Sequence, residues 1–126
     1  MSLALVVDVG TTNIKAGLVD PEGRVVSQAS RGLEVHRPEK GAAEHDPQEV
    51  LASFKKIVRK TVKGSDEEVK VLGLTGYQFG FVPLDKGGEP LTGIMTLMDE
   101  RPKSVMGKFQ SRSDLSEIYS RTGCPP

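Results

Sequence analysis

An apolar run, Leu3 to Val7, leads without a break into Asp8-Val9-Gly10-Thr11-Thr12-Asn13-Ile14-Lys15. The pattern predicts a buried strand that ends on a carboxylate and then turns tightly. Asp8 stands where a strand hands a negative charge to a hydrated cation, and Gly10 lets the backbone approach a ligand with no side chain in the way. Thr11, Thr12 and Asn13 add hydroxyl, amide and backbone donors that suit the oxygens of terminal phosphates, and Lys15 neutralises part of their charge. The same residue types also build an ordinary β-hairpin turn, so the octet alone leaves both readings open.

The 126 residues suffice for one compact core and are too few for a two-domain enzyme, so the chain reads as a small module or as part of something larger. Lys+Arg and Asp+Glu balance at 17 each. With no basic field to recruit them, nucleic acid and anionic membranes are not expected partners. The single cysteine, Cys124, has no internal partner, no stretch has the pattern of a signal peptide, and no apolar run reaches membrane-spanning length. A cytoplasmic setting is the expectation.

Residues 3 to 9 and 14 to 20 read as strands, Asp20-Pro21-Glu22-Gly23 as a turn, and 24 to 31 as the third strand of an antiparallel meander. Glu34 to Glu44 lacks a sustained period and reads as a surface excursion. A helix follows, with Asp46 as N-cap, Pro47 in the first position and Glu49 completing a capping box. Val50, Leu51, Phe54, Ile57, Val58, Thr61 and Val62 form its apolar stripe, and Gly64 closes it in the left-handed conformation. Val69 to Leu74 is a further strand closing on Thr75-Gly76. Phe79 to Leu84 and Leu91 to Leu97 then read as hairpin arms around Asp85-Lys86-Gly87-Gly88. Beyond Asp99 the pattern is helical, with Val105, Met106 and Phe109 on one face and Leu115, Ile118 and Tyr119 on a second short segment. Gly123 to Pro126 reads as the start of another loop, as if the chain were being redirected.

Several polar residues have plain structural explanations. His36 and His45 read as solvated loop residues, because a metal site needs more ligands than these two. Capping accounts for Asp46 without a paired acid site at Glu44. A solvated helix face accounts for Lys55, Lys56, Arg59, Lys60 and Lys63. Cys124 has no activating neighbour in sequence. Tyr77 either lines a cleft or packs beneath it.

The order β-β-β-α-β, with a phosphate-cradling first hairpin, is that of a mixed α/β sheet. Four separate stretches together resemble the FGGY carbohydrate kinases, over the whole chain. Asp8 to Lys15 resembles the family's N-terminal phosphate motif, and Glu44-His45-Asp46-Pro47 its acidic-proline signature. Leu72 to Gly80 is similar to its strand and substrate-contacting turn. Met98-Asp99-Glu100-Arg101 resembles a tryptophan-x-aspartate-x-arginine signature, with Met98 standing for the tryptophan.

The resemblance implies an actin-like ATPase (ribonuclease H-like) fold, of which residues 1–126 would form the N-terminal, sugar- and phosphate-binding portion without the C-terminal ATP-binding domain. It implies transfer of the γ-phosphoryl group of ATP, with Mg2+, to a hydroxyl of a sugar or polyol. Asp8 would organise the metal; Gly10, Thr11, Thr12, Asn13 and Lys15 would face the phosphates; Tyr77, Gln78, Phe79, Asp99 and Arg101 would shape the substrate pocket. In glycerol kinases the 77–79 turn carries arginine-glutamate, and in xylulokinases methionine-histidine; this chain has neither, so its sugar is unassigned. The family's general base lies further downstream, so no catalytic base is expected within these residues, and the chain alone should be silent. A truncated domain should expose apolar surface and self-associate, as a homo-oligomer such as a dimer. The alternative is a non-catalytic actin-like nucleotide-binding or assembly module, which would have no use for a polar pocket built from Gln78, Phe79, Asp99 and Arg101.

Overall fold

The computed structural model describes residues 2–124. In chain order they form β1 (Ser2–Val9), β2 (Asn13–Val19), β3 (Val25–Gly32), β4 (Glu44–His45), α1 (Pro47–Val62), β5 (Glu68–Gly76), β6 (Ile94–Met95), α2 (Lys103–Arg112) and α3 (Leu115–Thr122). The meander is as expected. β1, β2 and β3 pair antiparallel, and β5 returns after α1 to lie parallel to β1, giving the order β3-β2-β1-β5. A parallel return needs a crossover, and α1 supplies it.

Alternation along the strands divides the sheet into two faces. Leu3, Leu5 and Val7 of β1, Ile14, Ala16 and Leu18 of β2 and Ala29 of β3 are buried with Ile57 of α1. Each large aliphatic side chain fully buried there contributes about 1.5–3 kcal/mol. Ser27 donates to the Thr61 carbonyl at 2.9 Å, and Arg31 Nε donates to Ser53 Oγ at 2.9 Å, tying β3 to the helix. Ser53 therefore lies on the buried face of α1, while Leu51, expected in the apolar stripe, is exposed.

Asp46 caps α1, accepting from the Gln48 and Glu49 amides at 2.7 and 3.4 Å, and Pro47 occupies the first turn. The reciprocal half of the capping box is missing, because the Glu49 carboxylate instead meets His36 Nε2 at 3.1 Å. Gly64 is left-handed at φ 85°, but it closes a type II-like turn in which Ser65 N donates to Val62 O at 3.2 Å; Lys63 before it is extended.

The second half corrects the expected hairpin. Asp85 does organise the turn, accepting from the Gly87 and Glu89 amides at 2.8 and 2.9 Å. Its arms are not strands: Leu84–Pro90 and Phe81–Met95 are isolated bridges. Only Ile94–Met95 is regular: it pairs with β4 on one side, while Met95 exchanges backbone hydrogen bonds with Phe81 at 3.1 and 2.8 Å on the other. The excursion at 34–44 is likewise not all surface, since Ala42 and Ala43 are buried and His36 bridges Glu44. The helical readings after Asp99 hold as α2 and α3, and Gly123 caps α3 in the left-handed region. Of the loop expected at 123–126, Pro125 and Pro126 lie outside the described residues.

Candidate active-site crevice

β1 and β5 run parallel, so both end at the same edge of the sheet. Val9 pairs with Gly76, and the Tyr77 amide continues the ladder by donating to the Val9 carbonyl at 2.9 Å. The expected phosphate turn and the expected substrate turn therefore emerge side by side. Close approach explains both glycines here. A Cβ on Gly76 would sit 2.6 Å from the Val9 oxygen, and one on Gly10 would sit 2.9 Å from the Asn13 oxygen, where the Gly10 amide donates at 3.1 Å.

Asp8 and Lys15 are directly paired across β1 and β2 and project from the face opposite α1. They line an open groove of about 470 Å³ with Val6, Gly17, Gln28 and Thr75. Both side chains are exposed, and neither forms a hydrogen bond or ion pair among the described residues. Thr75, opposite Asp8 on β5, went unread as a groove residue because its neighbour on the floor is fixed only by the parallel register. In the turn itself, Thr12 O accepts from the Leu33 amide at 2.9 Å, which anchors the backbone and leaves the Thr12 side chain exposed.

Asp99 and Arg101 are brought together with β4. The Asp99 side chain, 2% exposed, accepts from the Ala43 amide at 3.1 Å and from Arg101 Nε at 3.0 Å. Arg101 also reaches Glu39 at 3.0 Å and pairs with Glu44. Against the upward push of burial, the Arg101 guanidinium first and then the Ala43 and Arg101 amides hold the Asp99 carboxyl at about 2, while the carboxylates raise the guanidinium pKa. Most of the Arg101 donor set is thus committed within the protein. The signature's tryptophan position, two residues before Asp99, falls on the exposed Leu97 rather than on Met98.

His45 overturns its expectation as a solvated residue. It is 1% exposed, in register with Ile94, and its Nδ1 is hydrogen-bonded to the Tyr77 hydroxyl. The rings meet edge to face, 5.7 Å between centroids. Burial lowers the imidazole pKa, with a smaller push from His36, and burial pushes the Tyr77 phenol up to about 12. Tyr77 therefore packs beneath the crevice, whereas the Gln78 and Phe79 side chains are exposed. Tyr77 and Phe79 have φ values of 27° and 59°, a left-handed backbone whose strain is about 1–3 kcal/mol per residue. No hydrogen bond or ion pair among the described residues runs directly from the 99–101 loop to the 8–15 turn; the two are linked through β4, His45 and Tyr77.

Residues 3–126 match the family model of the N-terminal domain of the FGGY carbohydrate kinases. The chain belongs to that family. Among its relatives are a gluconokinase of Bacillus subtilis, 29% identical over 98% of this chain and 24% of the relative, and a glycerol kinase of Trichormus variabilis, 31% identical over 94% and 25%. In structure it is similar to a ligand-bound xylulose kinase from Lactobacillus acidophilus, with a TM-score of 0.86 and 25% identity over 95% of this chain and 24% of that one. The FGGY chain thus spans about a quarter of the length of these relatives, and it has the actin-like mixed-sheet fold of their N-terminal portion.

Proposed function

We propose that this chain is the N-terminal, sugar- and phosphate-binding portion of an ATP-dependent carbohydrate kinase, which moves the γ-phosphoryl group of ATP to a hydroxyl of a sugar or polyol. The observation that carries the proposal is the Tyr77 N–Val9 O bond, which seats the 77–80 turn beside the Asp8–Lys15 turn. Donor and acceptor sites must adjoin for phosphoryl transfer, because catalysis there rests on positioning and charge neutralisation.

The groove residues suit a metal–nucleotide complex. Among the described residues no group of three or more His, Cys, Asp or Glu could cage a metal. Asp8 alone, exposed and unpaired, fits a Mg2+ ion that keeps most of its waters and takes its other oxygens from phosphates. Lys15 and the donors of Thr11, Thr12 and Asn13 would face those phosphates, with Gly10 leaving room for them. Gln78 would hydrogen-bond an acceptor hydroxyl and Phe79 would cover an apolar face of it. Asp99 and Arg101 would shape that pocket mainly by holding β4, since their charges are already paired. The general base and the adenosine-binding elements are assigned to sequence outside these residues, so the 126-residue chain should not turn over. No helix among the described residues is long and apolar enough to cross a membrane. A cytoplasmic metabolic kinase is the setting that fits.

The test is ADP release by the full-length protein against gluconate, xylulose and glycerol, with Asp8→Asn as control. We expect one acceptor class to be phosphorylated and the variant to lose at least about a hundredfold in kcat, the scale of an electrostatic group aimed at the reacting phosphate. Nucleotide binding with no acceptor phosphorylated would favour the assembly-module reading instead.

A further inference from the structure

The exposed, acceptor-facing residues Gln78 and Phe79 sit on a turn in which Tyr77 and Phe79 are left-handed. What holds it is at its base. The Tyr77 backbone is pinned to Val9, and its hydroxyl is pinned to His45 Nδ1. The other wall is Gly80, where an added Cβ would lie 2.5 Å from Tyr77 Cδ1 and 3.0 Å from Cγ, so the phenol ring rests against a bare backbone.

His45 is itself fixed from three sides. Its strand pairs with β6, its predecessors Ala43 and Glu44 hold Asp99 and Arg101, and its successor Asp46 caps α1. His45 Nε2 is buried without a hydrogen-bond partner, so the ring's only polar tie among the described residues is the one to Tyr77. A buried polar group with a single partner is costly to release, which makes this tie a rigid one.

We propose that His45 and Tyr77 form a positioning pair that sets the conformation of the Gln78-Phe79 turn, and through it the affinity for the sugar or polyol acceptor. This rests on the kinase reading above. Neither residue touches the reacting atoms: the imidazole holds the phenol, the phenol and Gly80 fix the left-handed backbone, and the backbone aims Gln78 and Phe79. The 99–101 loop is tied to the same two-residue strand, so both walls of the acceptor pocket share one anchor.

Two variants of the full-length protein test it, because either could act for a separate reason. Tyr77→Phe removes only the hydroxyl, and Gly80→Ala crowds the ring while leaving the hydroxyl in place. With whichever of gluconate, xylulose or glycerol is phosphorylated best, both should raise the acceptor KM about tenfold, with KM for ATP within about twofold, the loss expected when one buried hydrogen bond is forfeited. Amide hydrogen exchange should quicken about tenfold at residues 77–80 and stay unchanged in α1. Equal rises in both KM values, or unchanged exchange at 77–80, would overturn the pair. Faster exchange at 77–80 in a protein that phosphorylates no acceptor would instead sink the kinase reading and leave the positioning pair standing.

Discussion

Two halves of one sheet carry similar apolar strands and meet opposite fates. Over β2 and β3 lies α1, and Ile14 and Leu18 are completely buried beneath it. On the other side of β1, Leu72 and Leu74 of β5 pair with Leu5 and Val7 and share their face, yet remain 58% and 62% exposed. Strand formation needs only the ladder with β1, whereas burial needs a helix above, and α1 packs on the β2–β3 side. The edge that carries the candidate site follows the same division: its turns hang from β1 and β5, and its floor on the far face of the sheet is open.

Substitutions should break this comparison most sharply in stability. Leu18→Ala is expected to cost about 2–5 kcal/mol, transfer loss plus cavity, while Leu74→Ala should cost less than about 1 kcal/mol because little of that side chain leaves water on folding. Urea midpoints of the 126-residue chain decide it. Similar costs for the two would mean that β5 is covered in solution.

Next in size is the Asp99 pin, which joins the 99–101 loop to Ala43, just before β4, rather than to the covered core. Asp99→Asn should cost about 1.5–3 kcal/mol, since charge-assisted hydrogen bonds to a buried carboxylate are lost. The folded pKa, about 2, lies below the unfolded value of 3.8. The contribution is therefore complete above about pH 4 and disappears as pH falls toward 2. A wild-type stability curve that stays parallel to that of Asp99→Asn between pH 5 and pH 2 would refute the pin.

The covered half was the legible half. Alternation in residues 3–31, the Asp46-Pro47 start of α1 and the carboxylate–glycine–threonine turn are local signals, each confined to a few neighbours. The open half depends on partners far along the chain. Apolar residues at 79–84 and 91–97 predict a regular hairpin, but the arms meet only at isolated bridges while β6 ladders with β4, and Phe79, Phe81, Leu91 and Leu97 are exposed. His45 was unreadable for the same reason: its burial depends on Ile94 and on Tyr77, and no period within Glu34–Asp46 encodes either. The resemblance assigns Arg101 to the substrate pocket, but sequence shows only its type and not the Glu39, Glu44 and Asp99 carboxylates that fold around it.

The exposed strip also predicts self-association. Val71, Leu72 and Leu74 present apolar surface along an edge strand, a form that invites pairing with a second copy. Light scattering of the 126-residue chain should show mean mass rising with concentration, and Leu72→Lys with Leu74→Lys should return it to the monomer value. A monomer mass at every concentration for the unsubstituted chain would count against an adhesive edge.

The smallest effect contrasts two histidines nine residues apart, one at the surface and one within. Glu49 raises the His36 pKa above 6.5, so any stability from that contact is present below pH 6.5 and fades as pH climbs through the raised value. Burial lowers that of His45, so its neutral form favours folding above pH 6.5 and the benefit is lost as pH drops through the lowered value. Imidazole proton shifts followed from pH 5 to 8 should give two separate midpoints, His36 above 6.5 and His45 below. Glu49→Gln should bring the His36 midpoint down, because the carboxylate is its main cause, and should leave His45 still below 6.5 because desolvation dominates there. Coincident midpoints would place both rings in water, and β4 would then no longer anchor the turn that Tyr77 supports.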